Sequence, residues 1–255
     1  MKRSTGNGSN SGLGTQAYGE AWYWDKRYSQ HHDDDDDDDT VAFDWYQKYP
    51  SLAPLFHLYI PPLDGQLHLL VVGCGDSALS EDMVNDGYCN IFNVDISAVV
   101  IQAMQKKYSS WPQLKFMQMD VRDMSAFEAG SFDALIDKGT LDSILCGGDS
   151  QENAGKMLKE VERVLKDGGI YFLITYGAPK YRLNLLRNSY PWTIKLHVID
   201  KFSSSESSKH KASDLTSPVL LDDNSSSLDS VLGKNREVHY IYVCMKVGTR
   251  YQILS

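Results

Sequence analysis

Leu67-His68-Leu69-Leu70-Val71-Val72-Gly73-Cys74-Gly75-Asp76-Ser77 is the stretch that decides the fold. A continuous apolar run stops abruptly at Gly73, and a helical pattern begins immediately after Ser77. Short runs that are apolar on both faces and closed by glycine are the mark of buried parallel strands. Glycine lets the backbone turn tightly and lets a ligand come closer than a Cβ would allow. The helix that follows aims its unpaired amides at the same place. Strand, glycine turn and helix N-terminus together predict a nucleotide-type site.

The surrounding chain fits that start. At 255 residues and 42% apolar it can build one sizeable α/β core. Alternation of strand and helix runs through Ala78 to Asn85 (helix), Asn90 to Val94 (strand) and a helix capped by Ser97. Strands at Leu114 to Met119 and Phe132 to Ile136 come next, then an amphipathic helix from Glu152 to Leu165. Asp167-Gly168-Gly169 is expected to turn that helix into a strand from Ile170 to Thr175. Trp192 to Ile199 and Val238 to Val247 read as two further strands without a helical pattern between them, hence an antiparallel pair. The fold class expected is a Rossmann-like α/β sheet, mostly parallel, with a C-terminal antiparallel hairpin.

Outside this core the composition changes. Residues 1–15 are rich in Gly, Ser, Asn and Thr and are expected to form a disordered tail, followed by a single domain over 16–255. Within it, 16–60 is an aromatic cap carrying Trp22-Tyr23-Trp24-Asp25-Lys26-Arg27-Tyr28 and Phe43-Asp44-Trp45-Tyr46, interrupted by an acidic insert at 31–40. Pro50, Pro54, Pro61 and Pro62 are expected to break up the approach to the first strand. A Ser-rich insertion at 203–236 reads as disordered.

Charge and cysteines narrow the classes. Of the net charge of −9, Asp33 to Asp39 supply seven, leaving −2 for everything else. No basic patch for nucleic acid is indicated. No run of 18 apolar residues suggests a membrane span, and no apolar region follows Lys2-Arg3 as in a secretory signal. Cys74, Cys89, Cys146 and Cys244 are scattered without a Cys-x-x-Cys pair, which argues against zinc and for a reducing compartment, the cytoplasm or the nucleus.

In an open α/β sheet, ligands bind off the carboxyl ends of the strands, and here those ends carry Asp76, Asp95, Asp120 and Asp137. Asp95 lies 20 residues past Gly75, the place for a carboxylate that accepts both ribose hydroxyls. The third glycine of a dinucleotide turn is missing, since Ala78 and Leu79 stand there. A ligand with ribose and adenine but no pyrophosphate fits better, and S-adenosylmethionine is such a ligand. Asp120 and Val121 then belong beside the adenine. Nicotinamide-dependent oxidation is disfavoured by the missing glycine and the terminal hairpin.

The order Val-Val-Gly-Cys-Gly-Asp-Ser, Asp95, Asp120, Phe132 to Asp137 and Arg163-Val-Leu-Lys-Asp-Gly-Gly169 resembles the seven-β-strand class I methyltransferases. More narrowly, Tyr23 to Tyr28, Phe43-Asp44-Trp45, Gly73 to Ser80 and the run Asp137-Lys138-Gly139-Thr140-Leu141-Asp142 resemble the lysine methyltransferases of translation elongation factor one-alpha, the group related to methyltransferase-like protein 13. That resemblance implies a protein-lysine N-methyltransferase using S-adenosyl-L-methionine and releasing S-adenosyl-L-homocysteine. It implies a protein partner, with neither nucleic acid nor membrane, and a monomer. It implies a cofactor site of Trp24, Arg27, Tyr28, Trp45, Gly73, Gly75, Asp95, Ile96, Asp120, Val121 and Lys138. Ile96 stands where close relatives are expected to have tyrosine. Asp137 and Asp142 are the candidates for orienting the substrate amine, with Tyr176 as a wall; no metal is implied. A small-molecule methyltransferase and a non-catalytic cofactor-binding scaffold are the alternatives.

Overall fold

The computed structural model describes residues 17–33, 44–62, 65–190, 192–201, 215–220 and 237–248. The expected tail, most of the acidic insert, Phe43 and most of the Ser-rich insertion lie outside the described residues.

Seven strands form one sheet: β1 (His68–Val72), β2 (Asn90–Asp95), β3 (Leu114–Gln118), β4 (Phe132–Lys138), β5 (Leu165–Thr175), β6 (Trp192–Asp200) and β7 (Val238–Lys246). Their order is β3-β2-β1-β4-β5-β7-β6. All pairings among β1 to β5 are parallel, and β7 runs antiparallel to both β5 and β6. The chain leaves β1 toward β2 on one side and returns to β4 on the other, so β1 and β4 flank the crevice where strand order reverses. Val72 is level with Val94 and with Asp137, which brings the carboxyl ends of β1, β2 and β4 to one height.

Burial on both faces explains the apolar run of β1. Leu69 and Val71 join a cluster with Leu52, Phe56, Met83 and Ile101, while Leu70 and Val72 join Met157, Leu158 and Val161 on the other face. The α-helices of the described residues are α1 (Ala21–Asp33), α2 (Tyr49–Tyr59), α3 (Leu79–Asn85), α4 (Ala98–Lys107), α5 (Thr140–Leu145), α6 (Ser150–Val164) and α7 (Pro179–Ser189), of which α2, α3, α4 and α6 supply these residues. Ser97 caps α4 as expected, its Oγ accepting from the Val100 amide at 3.4 Å.

Four expectations need correction. Pro50 and Pro54 do not break the chain but lie within α2. Pro50 sits in the first turn, where a missing N–H needs no partner. Pro54 loses one helical bond, which the complete burial of Leu52, Leu55 and Phe56 outweighs. Second, α7 went unread because Arg182 shares its buried face with Leu186 and masks the apolar period. Third, β5 starts at Leu165 directly after α6, and Asp167-Gly168-Gly169 forms an irregularity inside the strand. Gly168 has φ +76°, and a Cβ on Gly169 would lie 2.8 Å from the Lys166 carbonyl oxygen. Fourth, 215–220 of the insertion docks on the β6 edge: the Val219 amide donates to the Leu196 carbonyl at 2.7 Å. There Leu215 and Val219 pack on the two faces of the sheet, and the buried His197 ring bonds Tyr59 Oη (2.9 Å) and the Leu215 carbonyl (2.7 Å). Apolar residues spaced among serines carried too weak a pattern to reveal this.

Among the described residues, no helix is long and apolar enough to cross a membrane.

Candidate active site

One cavity, about 1270 Å³ counting the space that opens to solvent, runs along the carboxyl ends of the strands. Its floor is the glycine turn. Gly73 has φ +57°, and a Cβ there would lie 2.1 Å from Thr140 Oγ1, which donates to the Val72 carbonyl at 2.9 Å. Gly75 has φ +52°, and its Cβ would lie 2.7 Å from the Tyr28 hydroxyl. Both positions therefore demand glycine twice over, by backbone conformation and by space.

Asp95 closes the β2 side. Its carboxylate is buried and accepts the Gly75 amide at 2.9 Å on one oxygen and the Ser97 amide at 2.9 Å on the other. Burial outweighs those two bonds and pushes the carboxyl up to about 6. Each oxygen has one lone pair left for a ligand hydroxyl. Ile96, Met119, Asp120 and Val121 continue the wall toward β3. Asp120 is held by Arg122, whose Nε donates to both of its oxygens at 2.9 Å and whose Nη2 donates at 2.6 Å. A ligand amine at Asp120 would share that carboxylate with the guanidinium.

The aromatic cap supplies the roof. Trp24 stacks on Tyr28 with centroids 6.0 Å apart, and its Nε1 donates to the Tyr18 carbonyl at 2.8 Å. The Arg27 guanidinium lies 6.0 Å from the Trp24 ring and 5.5 Å from the Trp45 ring, bridging the two cap segments by cation–π contact. Asp25 accepts from Ser97 Oγ at 2.6 Å and so ties α1 to the loop that carries Asp95 and Ile96. Lys138, expected beside the ligand, lines the cavity but spends its charge on the cap. Its ammonium donates to Asp44 at 2.9 Å and to the Trp45 carbonyl at 3.0 Å, and both side chains are largely buried. Asp44 also accepts from Ser77 Oγ.

The two candidate acids sit differently. Asp137 is fully buried and is not among the cavity-lining residues. It accepts the Thr140 amide at 2.8 Å, the Leu141 amide at 3.2 Å and the Tyr171 hydroxyl at 2.8 Å, so it anchors the first turn of α5. Burial pushes it up to about 7. The expectation that Asp137 orients a substrate gives way to this anchoring role. Asp142 does line the cavity, and it is the hub of a buried network. Oδ1 accepts from Arg182 at 2.6 Å and Thr175 Oγ1 at 2.5 Å; Oδ2 accepts from the Tyr46 hydroxyl at 2.7 Å and the Tyr176 amide at 3.3 Å.

Tyr46, Asp44, Asp25 and Arg182 are the site residues that sequence reasoning missed. Tyr46 has φ +66°, a strain on the order of 1–3 kcal/mol for a non-glycine residue. Its ring fills the space over Gly139, where a Cβ would lie 3.1 Å from Cε2. The aromatic knot Trp45-Tyr46 was visible; its inward turn was not.

The comparisons with known proteins agree with this geometry. Residues 70–173 match the family described as "Methyltransferase domain". The chain is 34% identical over 187 residues to mouse "EEF1A lysine methyltransferase 4", covering 70% of this chain and 69% of that protein. It is 36% identical over 195 residues to zebrafish "eEF1A lysine and N-terminal methyltransferase", covering 75% of this chain but only 26% of that protein. The chain thus spans about a quarter of the length of that second relative. Among solved structures, a Burkholderia thailandensis 1,6-didemethyltoxoflavin-N1-methyltransferase with bound S-adenosylhomocysteine superposes with TM-score 0.55, at 12% identity, over 96% of this chain and 94% of that one, a likeness of fold. The glycine cradle, the buried acid 20 residues on and these relatives converge: the chain belongs to the S-adenosylmethionine-dependent methyltransferases, among the relatives of the eEF1A lysine methyltransferases.

Proposed function

We propose that this chain is a protein-lysine N-methyltransferase acting on eEF1A, as a monomer formed by 16–255. The observation that carries the reading is the cavity's β5 side, where Trp45, Tyr46 and Tyr176 surround two internally neutralised ion pairs, Asp142–Arg182 and Lys138–Asp44. Such an aromatic end, whose ion pairs cancel, suits an aliphatic amine that must be neutral to react. The mouse and zebrafish relatives, named for methylation of eEF1A, support eEF1A as the substrate.

The residues fit the cofactor. Gly73 and Gly75 hold the turn at positive φ with Thr140 and the Tyr28 hydroxyl packed against it, Asp95 and Ile96 would take the ribose edge, and Asp120 and Val121, with Arg122 beside them, would take the adenine edge. S-adenosylmethionine, when bound, supplies a methyl group on a sulfonium that departs as a neutral thioether. What remains for the protein is to exclude water with Trp24, Arg27, Tyr28 and Trp45, and to hold the amine in line with the methyl carbon. Lys138 serves here by fixing the Asp44–Tyr46 segment over the cavity. Four free thiols suit a reducing compartment, the cytoplasm or the nucleus.

The test is transfer of labelled methyl groups to purified eEF1A, with mass spectrometry of the product. Methylated lysine is the expected result. Label found only in small molecules would put a small-molecule methyltransferase in its place. Binding of S-adenosylhomocysteine without transfer to any acceptor would leave a scaffold.

A further inference from the structure

The β5 side of the cavity holds one acid, Asp142, and its surroundings decide what it can do. Arg182, Thr175, Tyr46 and the Tyr176 amide take up both of its oxygens, and its side chain is 4% exposed. Four donors on two oxygens fill the lone-pair positions of this carboxylate and leave it little room to hold a lysine amine. Tyr46 is different. Its one hydroxyl hydrogen is committed to Asp142 at 2.7 Å, which turns the oxygen's lone pairs away from the carboxylate, and the residue lines the cavity. Its inward turn at φ +66° is kept by Gly139 below, by the His239 ring at 4.8 Å and by the Tyr176 ring at 6.2 Å.

Resting on the lysine reading above, we infer that the Tyr46 hydroxyl, oriented by Asp142 and Arg182, is the acceptor that holds the substrate amine, and that no carboxylate at this end removes its proton. The ammonium loses one proton to bulk water on entering the aromatic end, where the ion pairs cancel and offer it no net counter-charge. The neutral amine gives one N–H to Tyr46 and directs its lone pair at the methyl carbon. The N–C bond forms from that pair while the C–S bond breaks with its electrons going to sulfur. The products are a methylammonium, whose extra proton leaves to water, and a neutral thioether. Tyr46 takes no proton at any step: burial beside Asp142 holds its hydroxyl well above the ordinary tyrosine range, so it remains a donor to Asp142 throughout. The groups facing it are Asp142, with Arg182 behind it, Tyr176, Asp137 and His239, and burial lowers the last to about 4, leaving it neutral at neutral pH.

The experiment is single-turnover methyl transfer to the protein substrate by wild type and Tyr46→Phe, with S-adenosylhomocysteine affinity measured on both. Tyr46→Phe keeps the ring and removes the hydroxyl, which is both the acceptor for the amine and a donor to Asp142. The expected result is a loss of about tenfold or more in transfer rate with unchanged S-adenosylhomocysteine affinity. The wild-type rate at subsaturating substrate is also followed from about pH 6 to about pH 9.5 and is expected to rise throughout, toward the lysine range. Equal rates for Tyr46→Phe and wild type would overturn the role of Tyr46, and a plateau below about pH 8 would reveal an enzyme base. If Tyr46→Phe fails to fold, the wild-type profile still decides whether a base acts. A wild-type protein that labels no lysine overturns the lysine reading itself, and this inference with it.

Discussion

Lowering the pH should loosen the cofactor site by protonating one carboxyl, Asp95. Burial holds its native value at about 6, while the same group in an unfolded chain titrates near 3.9. Ribose hydroxyls donate to the ionised form, so apparent affinity falls with the ionised fraction. With a value of about 6, the dissociation constant for S-adenosylhomocysteine should be nearly level above pH 7 and about tenfold weaker at pH 5. The stability of the ligand-free protein moves the other way. A native value raised above the unfolded one favours folding fully below about pH 4, and that contribution is lost as pH rises to about 6, on the order of 3 kcal/mol in all. Asp95→Asn separates this from Asp137, whose value is also raised. The variant should bind at pH 7.5 about 10- to 150-fold more weakly, through loss of charged hydrogen bonds worth about 1.5–3 kcal/mol, and show no dependence on pH between 5 and 7. Titration calorimetry with S-adenosylhomocysteine across that range is the assay. Level wild-type affinity, or a pH dependence that survives in Asp95→Asn, would refute the assignment of Asp95 to the ribose edge.

Gly73→Ala should force Thr140 off the Val72 carbonyl and abolish measurable S-adenosylhomocysteine binding, because its Cβ would lie 2.1 Å from Thr140 Oγ1; a calorimetric isotherm like that of wild type would refute the cradle. Asp44→Ala leaves the Lys138 ammonium buried without its carboxylate and should cost about 3–5 kcal/mol in urea unfolding, against under 1 kcal/mol for an exposed pair. Leu215→Ala and Val219→Ala should each lower stability by about 1–2 kcal/mol if the docked 215–220 segment covers the β6 edge as described, and midpoints identical to wild type would show that it does not.

Much of the fold was legible in the chain because parallel strands buried on both faces leave continuous apolar runs, and because acids after such runs stand at the ligand-binding ends. Leu69 to Val72, Phe132 to Ile136 and Ile170 to Thr175 could hardly be placed otherwise, and Asp95 follows the glycine turn by a spacing with a physical reason. Local rules misled where tertiary packing overrode them. Pro54 lies inside α2 because three neighbouring side chains are buried, and Arg182 hides α7 because a buried cation finds its partner on α5, 40 residues earlier in the chain. The same holds within the site. Sequence, with the family resemblance, led to the expectation that a glycine turn, an acid at 95 and an aromatic cap meet over a methyl donor, and the structure brings those three to one cavity. Sequence ranked Asp137 and Asp142 alike, as acids on one short run. Only the folded structure turned Asp137 into the anchor of a helical turn, saturated Asp142 with donors from three other segments, and left Tyr46 lining the cavity. The reason is that a carboxylate's role depends on which donors reach its oxygens, and here those donors come from residues 46, 171, 175 and 182, brought together by the order of strands and not by their order in the chain.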